Sequence, residues 1–254
     1  MKRIFKIALI AIALILSVAP MSDAKVKRTK HNSAAKLSTN LNKLMKAPII
    51  KTNAEGFYII NRDAPRSLPH IKTTTSQIKD SERSAKIYID GKLFQTVTYE
   101  ANLDETMYLD ANFDGYVDIL FGAAFYREFG SIFLWDPNLK KFVRAEGKDD
   151  FNGLMLINPS KKELYSFLSF GITICGYSIS QWNGNKLEMT EVLNEIKDLS
   201  HWTNEGYRKK YNVIKGNYDE ENIRPYLIME TDDLSCVPSR WRAIMDNINA
   251  CFEE

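Results

Sequence analysis

Most of the oxygen chemistry that this chain concentrates in one place lies in Asp110-Ala111-Asn112-Phe113-Asp114-Gly115-Tyr116-Val117-Asp118. Side-chain oxygens fall at relative positions 1, 3, 5 and 9, and glycine occupies position 6. A tightly curled loop with that spacing points alternate side chains at one centre, where a hard cation such as Ca2+ gathers six to eight oxygens. Gly115 permits the sharp turn, and Tyr116 offers a backbone carbonyl rather than its ring. Three carboxylates this close together repel one another unless a cation lies between them. The spacing therefore predicts one Ca2+ bound by Asp110, Asn112, Asp114, the Tyr116 carbonyl and Asp118. The competing expectation is a polar hairpin turn in which Asp and Asn side chains bond their own backbone.

The loop departs from an EF-hand in two respects. Position 12, the place of a bidentate glutamate, is Phe121. The flanks, Met107–Leu109 and Val117–Phe121, read as strands instead of helices. The cation is thus expected in a β-loop-β hairpin, with Asp118 closing the site and water completing it. Without the terminal glutamate the expected affinity is weak, about 10⁻⁴–10⁻³ M.

The elements that must position this loop are mainly strands. Ala85, Ile87 and Ile89 alternate with Lys86, Tyr88 and Asp90, a period-2 pattern, and Asp90-Gly91 is a hairpin signal. Apolar runs follow at Ser131–Trp135, Lys141–Arg144, Leu154–Ile157, Ser166–Ile174 and Tyr177–Trp182. Asp136-Pro137-Asn138, Asn152-Gly153, Asn158-Pro159 and Asn183-Gly184 supply turns between them. Further strands are expected at Tyr207–Ile214 and Tyr226–Met229. Phe57–Ile60 reads as an early strand, followed by an extended connection up to about Thr75. Pro238 opens a helix to about Cys251 with Trp241, Ile244, Met245 and Ile248 on one face. The expected fold is mainly β, an antiparallel sandwich or propeller-like domain with a short C-terminal helix.

The string LDANFDGYVDILF resembles the signature of a bacterial family of exported β-proteins whose domain is related to periplasmic inhibitors of invertebrate-type lysozyme. The strand pair from Ile87 to Gln95 and the hairpin Phe133-Leu134-Trp135-Asp136-Pro137 to Lys141-Phe142 are also similar, so the likeness spans about 84–187. It implies a calcium-stabilised envelope domain. Lysozyme inhibition does not carry over, because such inhibitors present a small-residue loop with Ser, Gly and Tyr. The nearest look-alike, Cys175-Gly176-Tyr177-Ser178, reads as a strand end.

Met1–Ala24 has the layout of a cleaved secretory signal: Lys2, Arg3 and Lys6, an apolar core from Ile7 to Ala19, then Ser22 and Ala24. No membrane span is expected after cleavage, and the destination is the periplasm or the exterior. Residues 25–53 read as a basic flexible linker, with eight Lys and Arg between Lys25 and Lys51 and no acid. A short helix there, through Leu37, Leu41, Leu44 and Met45, is the other reading. Residues 54–254 form the β-rich domain. Cys175, Cys236 and Cys251 allow one disulfide in an oxidising compartment. The expected helix disfavours pairing Cys236 with Cys251, because it holds its ends about 20 Å apart.

Catalytic patterns are wanting. His31, His70 and His201 form no metal spacing, and neither a Gly-x-Ser-x-Gly elbow nor a phosphate loop appears. Asp104-Glu105 and Asp232-Asp233 are adjacent acids in predicted loops, a weak basis for glycoside hydrolysis. The reading is a non-catalytic, calcium-stabilised binding protein, inhibitor-like in character, with a protein or glycan of the envelope as partner and no nucleic acid. A carbohydrate- or surface-interaction module using Trp135, Trp182 or Trp202 is the alternative, and a cryptic hydrolase the third. An aromatic row beside the loop would favour the alternative.

Overall fold

The computed structural model describes residues 41–101, 103–122, 130–147, 153–169, 174–203, 206–216 and 226–252. The expected leader, Met1–Ala24, and the first part of the basic segment lie outside them. Among the described residues no helix is long and apolar enough to cross a membrane.

The chain is mainly β, in antiparallel sheets with a short C-terminal helix. Strands β2 (Ile71–Lys79), β3 (Glu82–Ile89) and β4 (Lys92–Glu100) form a three-stranded sheet. Strands β5 (Thr106–Leu109), β6 (Asp118–Phe121), β7 (Ser131–Asp136) and β8 (Lys141–Arg144) form a second. The large sheet runs β1 (Tyr58–Ile59), β10 (Leu154–Asn158), β11 (Glu163–Ser169), β12 (Ile174–Asn183), β13 (Lys186–Thr203), β14 (Gly206–Lys215) and β15 (Leu227–Thr231). A short parallel strand, β9 (Glu146–Gly147), pairs with β13. Helix α1 is Ser239–Ala250.

The side-chain period stacks these elements in layers. Tyr108, Ile119, Phe121, Phe133 and Trp135 point from the four-stranded sheet to one core, shared with Ala85, Ile87, Val97 and Tyr99 of the three-stranded sheet. The alternate residues Met107, Leu109, Leu120, Ile132 and Leu134 point to a second core, shared with Leu154, Ile157 and Leu164 of the large sheet. The four-stranded sheet is therefore a middle layer buried on both faces, which is why β6 and β7 read as unbroken apolar runs rather than alternations. On its far side the large sheet presents Tyr165, Tyr177, Ile179, Leu193 and Val213 to α1, which covers them with Trp241, Ile244, Met245 and Ile248. Each of those four helix side chains contributes roughly 1.5–3 kcal/mol by leaving water.

The turns follow their chemistry. Asp90 (φ 48°) and Gly91 (φ 75°) both take left-handed backbone, as a two-residue hairpin turn requires. Strand β2 was expected as an extended connection. Its sequence, IKTTTSQIK, buries only Ile71, so as an edge strand it carries almost no alternation to read. The described part of the basic segment packs on the body. Residues 41–44 make one helical turn, and Met45 is fully buried among Ile71, Val117 and Trp135, with Leu41 and Leu44 against the same core.

The three cysteines sort by this packing. Cys175 of β12 and Cys251 after α1 both pack against the helix-side core. The intervening contacts agree: the Tyr177 hydroxyl donates to Asn249 Oδ1 at 3.3 Å, and the Phe252 ring stands 5.3 Å from that of Phe167, the register partner of Tyr177. Cys236 is exposed beside Asp233 at the other end of the helix. Peptide mapping without reductant, after exposure to a glutathione redox couple, is expected to recover a Cys175–Cys251 link and Cys236 as a free thiol. Recovery of Cys236 in an intramolecular bridge would contradict this packing.

Candidate functional site: the Asp110–Asp118 loop

Strands β5 and β6 pair antiparallel with Leu109 opposite Asp118, so the loop closes as a β-loop-β hairpin. Asp110 accepts hydrogen bonds from the amides of Asp114 (3.0 Å) and Gly115 (2.8 Å). Asn112 Oδ1 accepts from Asp114 N (3.2 Å), and its Nδ2 donates to Asp114 Oδ2 (3.0 Å). Asp114 Oδ1 in turn accepts from Tyr116 N at 2.9 Å. The side chains of Asp110, Asn112 and Asp114 are thus gathered around one curled backbone. Phe113 (φ 62°) and Gly115 (φ 85°) are both left-handed. Glycine adopts this without penalty, whereas for Phe113 it costs roughly 1–2 kcal/mol.

Asp118 is set deeper and is fully buried. Its Oδ2 accepts from the amides of Ala111 (2.8 Å) and Asn112 (3.3 Å), and its Oδ1 from Trp135 N (2.9 Å). One carboxylate therefore ties the start of the loop to β7. Burial pushes its pKa well above the ordinary carboxylate value, against the pull of the backbone donors, and the charges of Asp114 and Asp110 push the same way. Asp110 is also raised, chiefly by burial.

The loop rests on the N-terminal segment. Ala47 N donates to the Gly115 carbonyl (3.1 Å), and Val117 N donates to that of Met45 (2.8 Å). Lys46 Nζ lies 4.0 Å from the centre of the Tyr116 ring. This support was not legible in the loop's own sequence.

Among the described residues no three His, Cys, Asp or Glu side chains converge as a ready-made metal cluster. The donor set nonetheless fits a hard cation. The side-chain oxygens of Asp110, Asn112 and Asp114 keep a lone pair beyond the bonds they accept, whereas Asp118 Oδ2 already takes two amides and only its Oδ1 has one to spare. Burial, with a smaller push from their mutual repulsion, holds Asp110 and Asp118 above their ordinary pKa, and a divalent ion would relieve the repulsive part.

Other residues read as chemically suggestive are placed apart. Asp104 pairs with Arg83 (2.7 Å) and Glu105 with Arg66 (3.0 Å). Asp232 pairs with Arg208 (2.6 Å), while Asp233 caps Ser235 N. His70 bonds Asp90 (2.9 Å), and His31 lies outside the described residues. Cys175–Ser178 is part of β12. Trp135 is core, with its indole 5.2 Å from Phe142. Trp182 lies beside the loop, and its Nε1 donates to the Ala111 carbonyl at 2.7 Å.

One buried polar cluster has no counterpart in the sequence reading. Glu163 accepts from the Tyr165 hydroxyl (2.5 Å), Gln181 Nε2 (3.2 Å) and Arg240 (2.7 Å), joining α1 to the large sheet. Burial and Glu163 together raise the Tyr165 hydroxyl far above its ordinary pKa.

No protein-family model and no curated protein matches the chain. A solved structure described as a Xanthomonas type IV secretion system related protein is similar at 14% identity and a TM-score of 0.37, over 68% of this chain and 99% of that one.

The raised carboxylates set a pH dependence. In metal-free buffer the folded state holds protons on Asp118 and Asp110 that the unfolded chain releases above about pH 4. The contribution of these two groups to stability is therefore greatest below that point and is lost as pH rises through the folded-state values. Thermal melts from pH 4 to 8 are expected to show this fall in the wild type, a shallower one in Asp118→Asn, and a shallower one in the wild type with millimolar Ca2+. Equal slopes in the wild type, in Asp118→Asn and in the wild type with Ca2+ would contradict the assignment.

Proposed function

We propose that this chain is a non-catalytic binding protein of the cell envelope or exterior, stabilised by one Ca2+ in the Asp110–Asp118 loop. The observation that carries the reading is the gathering of Asp110, Asn112 and Asp114 around a single turn, with Asp118 closing the hairpin behind them. The ion stiffens the hairpin and fixes the surface around it rather than performing chemistry. The leader-like Met1–Ala24 supports export, where millimolar calcium matches a weak site. The acids that a hydrolase would need are held in the arginine pairs and cap described above.

One observation favours a carbohydrate- or surface-binding role over a purely protein-directed one: Trp182 stands beside the loop, hydrogen-bonded to it, with Phe113 in the same hollow.

Calcium titration of the melting temperature tests the reading. The wild type is expected to gain several degrees between chelated and millimolar calcium, since a ligand that binds the folded state stabilises it. Asp114→Ala is expected to gain none while keeping its fold, because Asp114 is exposed. An equal gain in both proteins, or none in the wild type, would refute the site.

A further inference from the structure

The hollow beside the calcium loop has the makings of a ligand site. Three connections from two sheets meet there: the loop of the four-stranded sheet with Asn112 and Phe113, and, from the large sheet, the β10–β11 turn with Lys161 and Lys162 and the β12–β13 hairpin with Gln181 and Trp182. They enclose about 400 Å³, the scale of a small-ligand pocket. Phe113 and Lys162 both hold left-handed backbone, so two of the chain's strained non-glycine residues lie in this one hollow. Strain of this kind persists where the surroundings over-determine it, and it collects at ligand sites.

The charges distinguish this hollow from the larger cleft across β13, β14 and β15. There Lys209, Lys210 and Arg208 are matched to Glu195, Glu230 and Asp232. In the hollow, Lys161 and Lys162 are exposed, and among the described residues no acid pairs with either. Their neighbour Glu163 is buried and already engaged by Arg240. Two unmatched ammonium groups therefore stand beside an indole and the Asn112 amide.

We infer that this hollow binds an anionic sugar, a glycan residue bearing a carboxylate or phosphate, with Lys161 and Lys162 taking the charge and Trp182 supplying an apolar wall for the ring. Asn112 is placed to meet a hydroxyl. The inference rests on the calcium reading: Asn112 belongs to both sites, and without the cation Asp110 and Asp114 would repel an anion at this distance. The Trp182–Ala111 hydrogen bond couples the hollow to the loop directly.

Titration calorimetry and indole fluorescence on the full secreted chain test this, with oligogalacturonate as probe and a neutral maltooligosaccharide of equal length and inorganic phosphate as comparisons. Saturable binding of the acidic oligosaccharide is expected, at least tenfold tighter than either comparison and weakened by salt and by chelation. The double variant Lys161→Ala/Lys162→Ala is expected to lose at least tenfold in affinity and to keep the calcium-induced gain in melting temperature. That retained gain separates the two readings. Binding lost with the gain intact upholds the sugar site, and absence of a calcium gain in the wild type strikes the loop assignment instead. Trp182→Phe supplies a second check, because it keeps the wall and removes the bond to Ala111: binding should weaken and lose its calcium dependence. The inference is overturned by no saturable binding, by free phosphate or the neutral sugar binding equally well, by capture only on anionic phospholipid vesicles, or by undiminished binding in the double lysine variant.

Discussion

The buried carboxylate of Asp118 is the constraint around which the middle of the molecule is organised. A carboxyl group at full burial is expensive unless hydrogen-bonded, and here three backbone amides from two elements meet it. The arrangement fixes where the loop begins, at Ala111 and Asn112, and how the hairpin sits against β7, at Trp135. Trp135 is itself pinned, since its Nε1 donates to Asn42 and its ring packs on Phe142. The register of the four-stranded sheet, the path of the loop and the docking of the N-terminal segment therefore share one anchor. Truncating it would leave buried amides without acceptors, at about 1–3 kcal/mol each.

From that anchor the layers follow. A sheet buried on both faces needs apolar residues at every position, and β6 and β7 meet this with Ile119, Leu120 and Phe121 and with Ile132, Phe133 and Leu134. Asp118 is the polar exception at the strand's start, and the backbone donors around it compensate. The large sheet is amphipathic in another sense, with one face on the middle layer and the other on α1. Its buried polar residues include the Glu163 cluster, where one acid accepts from a phenol, an amide and a guanidinium.

Much of this was legible in residue order. The hairpin at Asp90-Gly91, the β-flanks of the loop and the helix face Trp241–Ile248 follow from two periods and a few turn residues. The loop was legible as a local cluster because its oxygens recur at short spacing. Long-range partnerships were not legible. Nothing in Lys161, Lys162 and Trp182 as a string says that they border Asn112 and Phe113. The same holds for Arg240 and Glu163, and for Met45 under the loop. Strand β2 escaped notice because an edge strand with one buried side chain has no pattern to display.

The order in which the large sheet is completed has a consequence for how the chain acquires its structure. Its first strand, β1, is paired not with its neighbours in sequence but with β10, Tyr58 lying opposite Ile157, and both smaller sheets are spelled out between them. Asn53 likewise bonds Asn247, 194 residues away. A chain emerging from its N-terminus cannot seat its leading segment until most of the remainder has appeared. Contacts of such long range slow the search for the native state, and the face that the middle sheet turns to the large sheet would meanwhile stand uncovered. In a protein wired in this way that face stays open to solvent, and to other chains, until the last strands arrive.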